Sequence, residues 1–400
     1  MFRASQARVF GRWLAGLAGG STLLLAACTG SFSPGDFFSS PSQPGGPPQA
    51  GSAIGAGQVK VGLILPLSAG GNAGVAAQSM RNAAEMALAE FGSSDIQLLV
   101  RDDAGSAGGA QQAAQQVLDE GAEIILGPLF AHSVGPVGQL ARSRGIPVIA
   151  FSTDANVAAR GVYLLSFLPE SDVERIVGYA VTQGKRSFAA AIPDNAYGTV
   201  VEAAFKQSVA RRNARVVALE RYPFDRAQIP GAVRSVGQAG GRVDAVFVPD
   251  GADSVPAVVQ GLAAGGMDTR RVQLLGSGLW EDPQIFTNSA LEGAWYAGPD
   301  STGFRNFSAR YRSRYGQDPA RTASLAYDAV ALMIALTKTQ GAQRFSEEVL
   351  TNASGFTGID GLFRFRPDGT NQRGLAVMRV SPTGGQIISP PPKSFGASGT

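Results

Sequence analysis

One cysteine, one histidine and three tryptophans are all that this 400-residue chain has of those residues, and charged side chains make up only 16% of it. A single cysteine leaves no intramolecular disulfide and no thiolate metal cluster. With His132 as the sole imidazole, Ser-His or Cys-His nucleophilic catalysis would have to run through that one ring. Carboxylates do not cluster either: Asp102-Asp103 and the Asp250-Gly251 and Asp368-Gly369 pairs read as turns and caps rather than as cation ligands. No Gly-x-x-x-x-Gly-Lys-Ser/Thr element occurs, and glycines 51, 55 and 57 precede the first strand instead of following it. No aromatic-flanked carboxylate pair suggests glycoside chemistry. The expectation is a non-enzyme that uses no cofactor and no metal, with a hydrolase as a remote alternative.

An excess of one charge is missing as well. The formal +3 comes from a terminal segment, residues 1–27, whose Arg3, Arg8 and Arg12 face no acid, so the remainder is formally neutral. No block of like charge remains to attract nucleic acid.

That same segment has the order of an export signal. Three arginines precede a short apolar stretch, Leu14–Ala27, which Gly16, Gly19, Gly20, Ser21 and Thr22 interrupt. It falls short of the roughly 20 apolar residues a spanning helix needs. It closes on Leu25-Ala26-Ala27-Cys28, a lipobox-like tetrapeptide holding the lone cysteine. Residues 1–27 therefore read as a lipoprotein signal peptide, and Cys28 as the lipidation site that anchors the chain to a membrane.

Residues 28–57 are rich in Gly, Ser, Pro and Gln, including Pro41-Ser-Gln-Pro-Gly-Gly-Pro-Pro, and read as a tether. Residues 389–400, opening Ser389-Pro-Pro-Pro-Lys, are expected to be disordered. Between these flanks, short β-branched runs alternate with Ala-rich helical windows, the pattern of parallel α/β sheets. Strands are predicted at Val59–Leu65, Ile96–Val100, Glu123–Leu126 and Pro147–Phe151, with helices between them, making one doubly wound lobe. The rhythm restarts with strands at Ser187–Ile192, Val216–Tyr222, Ala245–Val248 and Val272–Leu275, and one helix spans Ile229–Gln238. Two lobes are also what the length demands, since single cores stop growing at about 250–300 residues. A hairpin-like pair, Gly361–Gly369 with Leu375–Val380, has no sheet of its own and is expected to complete these lobes.

In open α/β sheets ligands bind outside the carboxyl ends of strands. The loops so placed carry Ser68, Phe130, Ala131, His132, Ser152, Thr153, Tyr197, Asp250, Trp280 and Glu281. Their hydroxyls and the backbone N–H groups opening each following helix suit a carboxylate or other anion. Phe130, Phe151, Tyr197 and Trp280 offer apolar walls, and Asp194, Asp250 or Glu281 a partner for an amine. Each also has a structural reading: Ser152 as a cap, Phe151 as core, Trp280 as a packing anchor.

Taken in order, Val61-Gly-Leu-Ile-Leu-Pro-Leu-Ser, Asn82-Ala-Ala-Glu-Met-Ala, Ile125-Leu-Gly-Pro, Gly145-Ile-Pro-Val-Ile-Ala-Phe-Ser-Thr, Tyr197-Gly198 and Tyr327-Asp-Ala-Val resemble type I periplasmic binding proteins of the Leu/Ile/Val-binding kind. The resemblance runs from Val59 to Val380 and implies two Rossmann-like lobes joined by three hinge crossovers. Lobe 1 would hold residues 58–168 and 299–342, and lobe 2 residues 169–298 and 343–388. It implies a lipid-anchored periplasmic protein that closes on an amino acid or small polar ligand and serves an ABC permease. It also places ligand contacts near Phe130-Ala131-His132, Ser152-Thr153, Tyr197, Asp250 and Trp280-Glu281. A second branch with the same fold, the lipoprotein activators of penicillin-binding proteins, implies instead contact with a peptidoglycan synthase from a membrane, and Thr29 after Cys28 leaves the outer membrane open.

Overall fold

A computed structural model describes residues 51–92 and 95–395. Cys28, the leader and most of the tether fall outside the described residues. Pro48–Thr400 forms one compact unit that contains every hydrophobic core described below.

The first sheet gathers β1 (Ser52–Ile54), β2 (Val59–Leu65), β3 (Ile96–Asp102), β4 (Ile124–Leu126), β5 (Val148–Ala150) and β6 (Val162–Leu164) in the order β1-β3-β2-β4-β5-β6. All pairings are parallel except that of β1 with β3. Alternation along β2 explains the apolar residues that follow Lys60 on both of its faces. Val61, Leu63 and Leu65 enter one core with α1 (Gly71–Glu90), while Ile64 enters another with α2 (Ala107–Asp119) and α3 (Ala131–Ser143). The strand β1 corrects the tether reading at its last residues. Ser52, Ala53 and Ile54 pair with Val100, Leu99 and Leu98, and Ile54 packs on the core.

The chain leaves this sheet at Leu165–Leu168 and enters α4 (Pro169–Thr182). It then builds β7 (Ser187–Pro193), α5 (Ala196–Arg211), β8 (Arg215–Tyr222), α6 (Ile229–Ala232), α7 (Arg234–Gln238), β9 (Ala245–Phe247), α8 (Val255–Ala264), β10 (Gln273–Gly276), α9 (Pro283–Phe286) and β11 (Trp295–Gly298). The single helix expected over Ile229–Gln238 is two short ones that meet at Val233. After β11 the chain returns through α10 (Ser301–Tyr315) and α11 (Ala323–Gln340), whose Phe307, Tyr311, Val330 and Met333 share the core of β2 and α1.

The expected pairing of Gly361–Gly369 with Leu375–Val380 does not form. After α12 (Glu347–Leu350), β12 (Phe356–Gly358), β13 (Gly361–Phe365) and β14 (Asn371–Arg373) make their own three-stranded antiparallel sheet. Then β15 (Ala376–Ser381) and β16 (Gly384–Ser389) extend the second sheet, ordered β16-β15-β11-β10-β9-β7-β8. Residues 343–388 therefore divide between the lobes. Phe345, Leu350, Phe363 and Phe365 are buried in the first lobe's core, and only the part from Ala376 onward joins the second sheet. Aromatic packing decides this, since the Phe365 ring lies 5.5 Å from that of Tyr163 on β6.

The described part of the tail, up to Phe395, is held rather than free. Arg175 on α4 donates from Nε to the Leu375 carbonyl (2.8 Å) and from Nη2 to Ser389 Oγ (2.7 Å) and the Pro390 carbonyl (3.2 Å). The Arg364 guanidinium lies 4.7 Å from the Phe395 ring centroid.

Candidate functional site

Parallel strands bring their following loops to one end of each sheet, and the loops after β2, β3 and β4 form a contiguous patch. The N–H of Ser68 donates to Asp102 Oδ1 at 3.2 Å, and Ala104 N–H donates to the same oxygen at 2.8 Å. Burial pulls Asp102 upward, but these hydrogen bonds outweigh it and hold the carboxyl below its ordinary value. Phe130 precedes α3, and its ring stacks on that of His132 at 5.5 Å between centroids. Exposed His132 places Nε2 3.0 Å from the Gly105 carbonyl, which fastens the loop after β4 to the loop after β3. Ala131 is half-buried beside them. Asp103 is fully buried beneath; its Oδ1 accepts Gly105 N–H at 2.8 Å, and burial pushes the carboxyl up. After β5, buried Ser152 accepts Asp154 N–H through Oγ at 3.1 Å, while Thr153 is exposed.

In the second lobe Tyr197 opens α5, and its hydroxyl stands 3.4 Å from Ser277 Oγ after β10. Burial pushes this phenol well above its usual range. Asp250 accepts the Tyr222 hydroxyl at 2.7 Å through Oδ2 and Gly251 N–H at 2.7 Å through Oδ1. Glu281 is exposed and accepts the hydroxyl of Tyr296. Of the three acids offered to an amine, Asp250 and Glu281 are thus engaged by tyrosines of their own lobe, while exposed Asp194 pairs with Arg221 at 3.3 Å. Trp280 is wholly buried in the second lobe's core, against Gly276, where an added Cβ would come within 2.1 Å of the indole. Phe151 is equally buried in the first. Of the expected apolar walls, Phe130 and Tyr197 keep partial exposure.

Three residues absent from the sequence reading meet at the hinge. Asp172, in the first turn of α4, accepts Gly278 N–H at 2.9 Å, tying the first crossover to the loop beside Ser277. Burial pushes its carboxyl up to about 7, against the opposing pull of that hydrogen bond and of Arg373 and Arg321. Arg373, only 6% exposed, donates from Nε to the Ser166 carbonyl at 2.8 Å. The Phe167 ring carries both guanidinium groups, Arg321 at 4.4 Å and Arg373 at 4.5 Å from its centroid. No local pattern pointed to them, because they come from three distant segments.

Among the described residues no group of three or more His, Cys, Asp or Glu side chains is placed to hold a metal, and no helix is long and apolar enough to cross a membrane. A groove of about 1570 Å³ runs between α4, α5, β14 and the tail and takes in Asn156 and Arg373.

No curated protein matches the chain. Among solved structures, a branched-chain amino acid ABC transporter periplasmic ligand-binding protein from Burkholderia xenovorans superposes with a TM-score of 0.69 at 16% identity, covering 85% of this chain and 97% of that one. An ABC transporter substrate-binding protein from Desulfitobacterium hafniense, in complex with Leu, gives 0.61 at 16% identity, covering 82% and 99%. A solute-binding protein of an ABC transporter from R. palustris, in complex with benzoate, gives 0.58 at 18% identity, covering 86% and 100%. At these identities the likeness is one of fold. A sequence profile described as periplasmic binding protein matches residues 58–386, most of the chain, and the chain belongs to that family.

Proposed function

We propose that this protein binds a small ligand between its two lobes and presents it to an ABC-type permease, held at a membrane by lipid on Cys28. The observation that carries the reading is that strand-end loops gather polar and aromatic groups on each lobe: Ser68, Phe130 and His132 on one, Tyr197 and Ser277 on the other. Loop hydroxyls and amides suit an anionic group, and the Phe130 and Tyr197 rings suit an apolar body. Asp250 and Glu281 each accept a tyrosine hydroxyl and Asp194 faces Arg221, but each carboxylate keeps acceptor positions, so both an amino acid and an amine-free carboxylate fit. Closure would follow from tighter binding to the closed arrangement.

Thermal melting against amino acids, aromatic carboxylates and peptidoglycan fragments tests this. A ligand present at 100 times its dissociation constant stabilises by about 2.7 kcal/mol. An upward shift with carboxylates is expected. Silence across the panel overturns the transport reading and favours the second one, contact with a peptidoglycan synthase.

A further inference from the structure

The edge of the second sheet farthest from the hinge is a row of arginines. Strands β8, β7, β9 and β10 are adjacent and parallel, so all four begin at the same end. Arg215 is the first residue of β8, Arg186 directly precedes β7, Arg242 lies three residues before β9, and Arg270 and Arg271 lead into β10. All five are exposed. Neighbouring strands stand about 4.8 Å apart, so four strand starts span roughly 15 Å. Backbone bonds fix the row: Arg215 N–H donates to the Arg186 carbonyl at 2.9 Å, and Arg186 N–H to Asp244 Oδ2 at 2.8 Å.

Among the described residues, none of the five is within ion-pair distance of a carboxylate. Three acids stand nearby, one of them exposed Glu292, three residues before β11, which runs parallel to β10. Asp244 is spent on the N–H groups of Arg186 and Ser187 and on the Ser187 hydroxyl, and exposed Asp268 accepts Arg270 N–H. The corresponding edge of the first lobe differs: Arg144, Arg160 and Arg344 pair with Asp119, Glu347 and Glu123. With the chain beyond residue 27 formally neutral, the second lobe's edge concentrates charge that the rest balances.

We propose that this edge docks on an anionic phospholipid surface. Guanidinium groups bind phosphate in a bidentate fork, and a row of them with no aromatic side chain or groove between suits many headgroups spread over a plane rather than one shaped partner. The inference needs neither the ligand site nor the lipid at Cys28.

The self-contained unit Pro48–Thr400, which has no leader or lipid, is floated with vesicles containing 30 mol% phosphatidylglycerol or phosphatidylcholine alone. Binding only to the anionic vesicles, weakening as salt rises, is expected. Each arginine near such a surface contributes about 1 kcal/mol, a factor of about five, so an R215Q/R242Q/R271Q variant should bind about a hundredfold more weakly. Replacing Arg144, Arg160 and Arg344 by Gln should change binding less than about twofold, and melting curves check that both variants are folded. Equal binding by wild type and the R215Q/R242Q/R271Q variant, or no binding at low salt, overturns the proposal. Retention on immobilised polyglutamate without vesicle binding also overturns it, in favour of an acidic protein.

Discussion

Tyr222 donates its hydroxyl to Asp250 Oδ2 at 2.7 Å, so one oxygen of this candidate partner for a ligand amine is engaged by its own lobe. The Tyr222 side chain is buried at the end of β8. Tyr222→Phe should cost about 1 kcal/mol in stability while freeing Asp250, so amines should begin to raise the melting temperature. If the variant melts like wild type and ignores amines, Asp250 is not held in reserve by this bond.

Asp328 and Asp172 should make stability depend on pH. Burial pushes both up to about 7 from an ordinary 3.8. Between about pH 4 and 7 the folded chain keeps protons that the unfolded chain has released, so these groups stabilise most at the acid end and lose that contribution as pH rises through 7. Asp328→Asn retains an acceptor for Ile359 N–H, now 2.8 Å from Oδ1, and should flatten the profile. Melting curves at pH 5 and 8 read this directly; a variant with the wild-type slope would remove Asp328 from the account.

The strap from Ser389 to Phe395 should contribute to stability although its composition suggests disorder. Arg175→Gln removes charge-assisted bonds to Leu375, Ser389 and Pro390, at a cost of about 2 kcal/mol. Truncation after Ile388 should cost as much, because it leaves Arg175 donors unfilled. Chemical denaturation compares the three chains, and unchanged midpoints would show the strap to be dispensable.

The lobes were legible because a parallel strand buried on both faces is mostly apolar, as in residues 61–65 and 188–192. The strand at Ser52–Ile54 was not, since a Gly- and Ala-rich segment becomes a strand only when the open edge of β3 offers it a ladder. Nor could local pattern separate β13 from β15. Phe363 and Phe365 draw one into the first lobe's core, while Val377 and Met378 draw the other into the second lobe's. At the site, Ser68, Phe130, His132 and Tyr197 were readable as strand-end loop residues, but the burial of Trp280 depended on a bare Gly276 beneath it.

By itself the amino-acid sequence determined the alternation of strand and helix, the two lobes and the loops at their strand ends, because burial periodicity and turn chemistry act over a few neighbouring residues. Tertiary structure alone decided that Asp172, Arg321 and Arg373 meet around Phe167, that Asp250 and Glu281 are capped by tyrosines, and that five arginines align along one sheet edge. Each of these joins residues far apart in the chain, and Coulomb and hydrogen-bond energies depend on distances that only the packed fold sets.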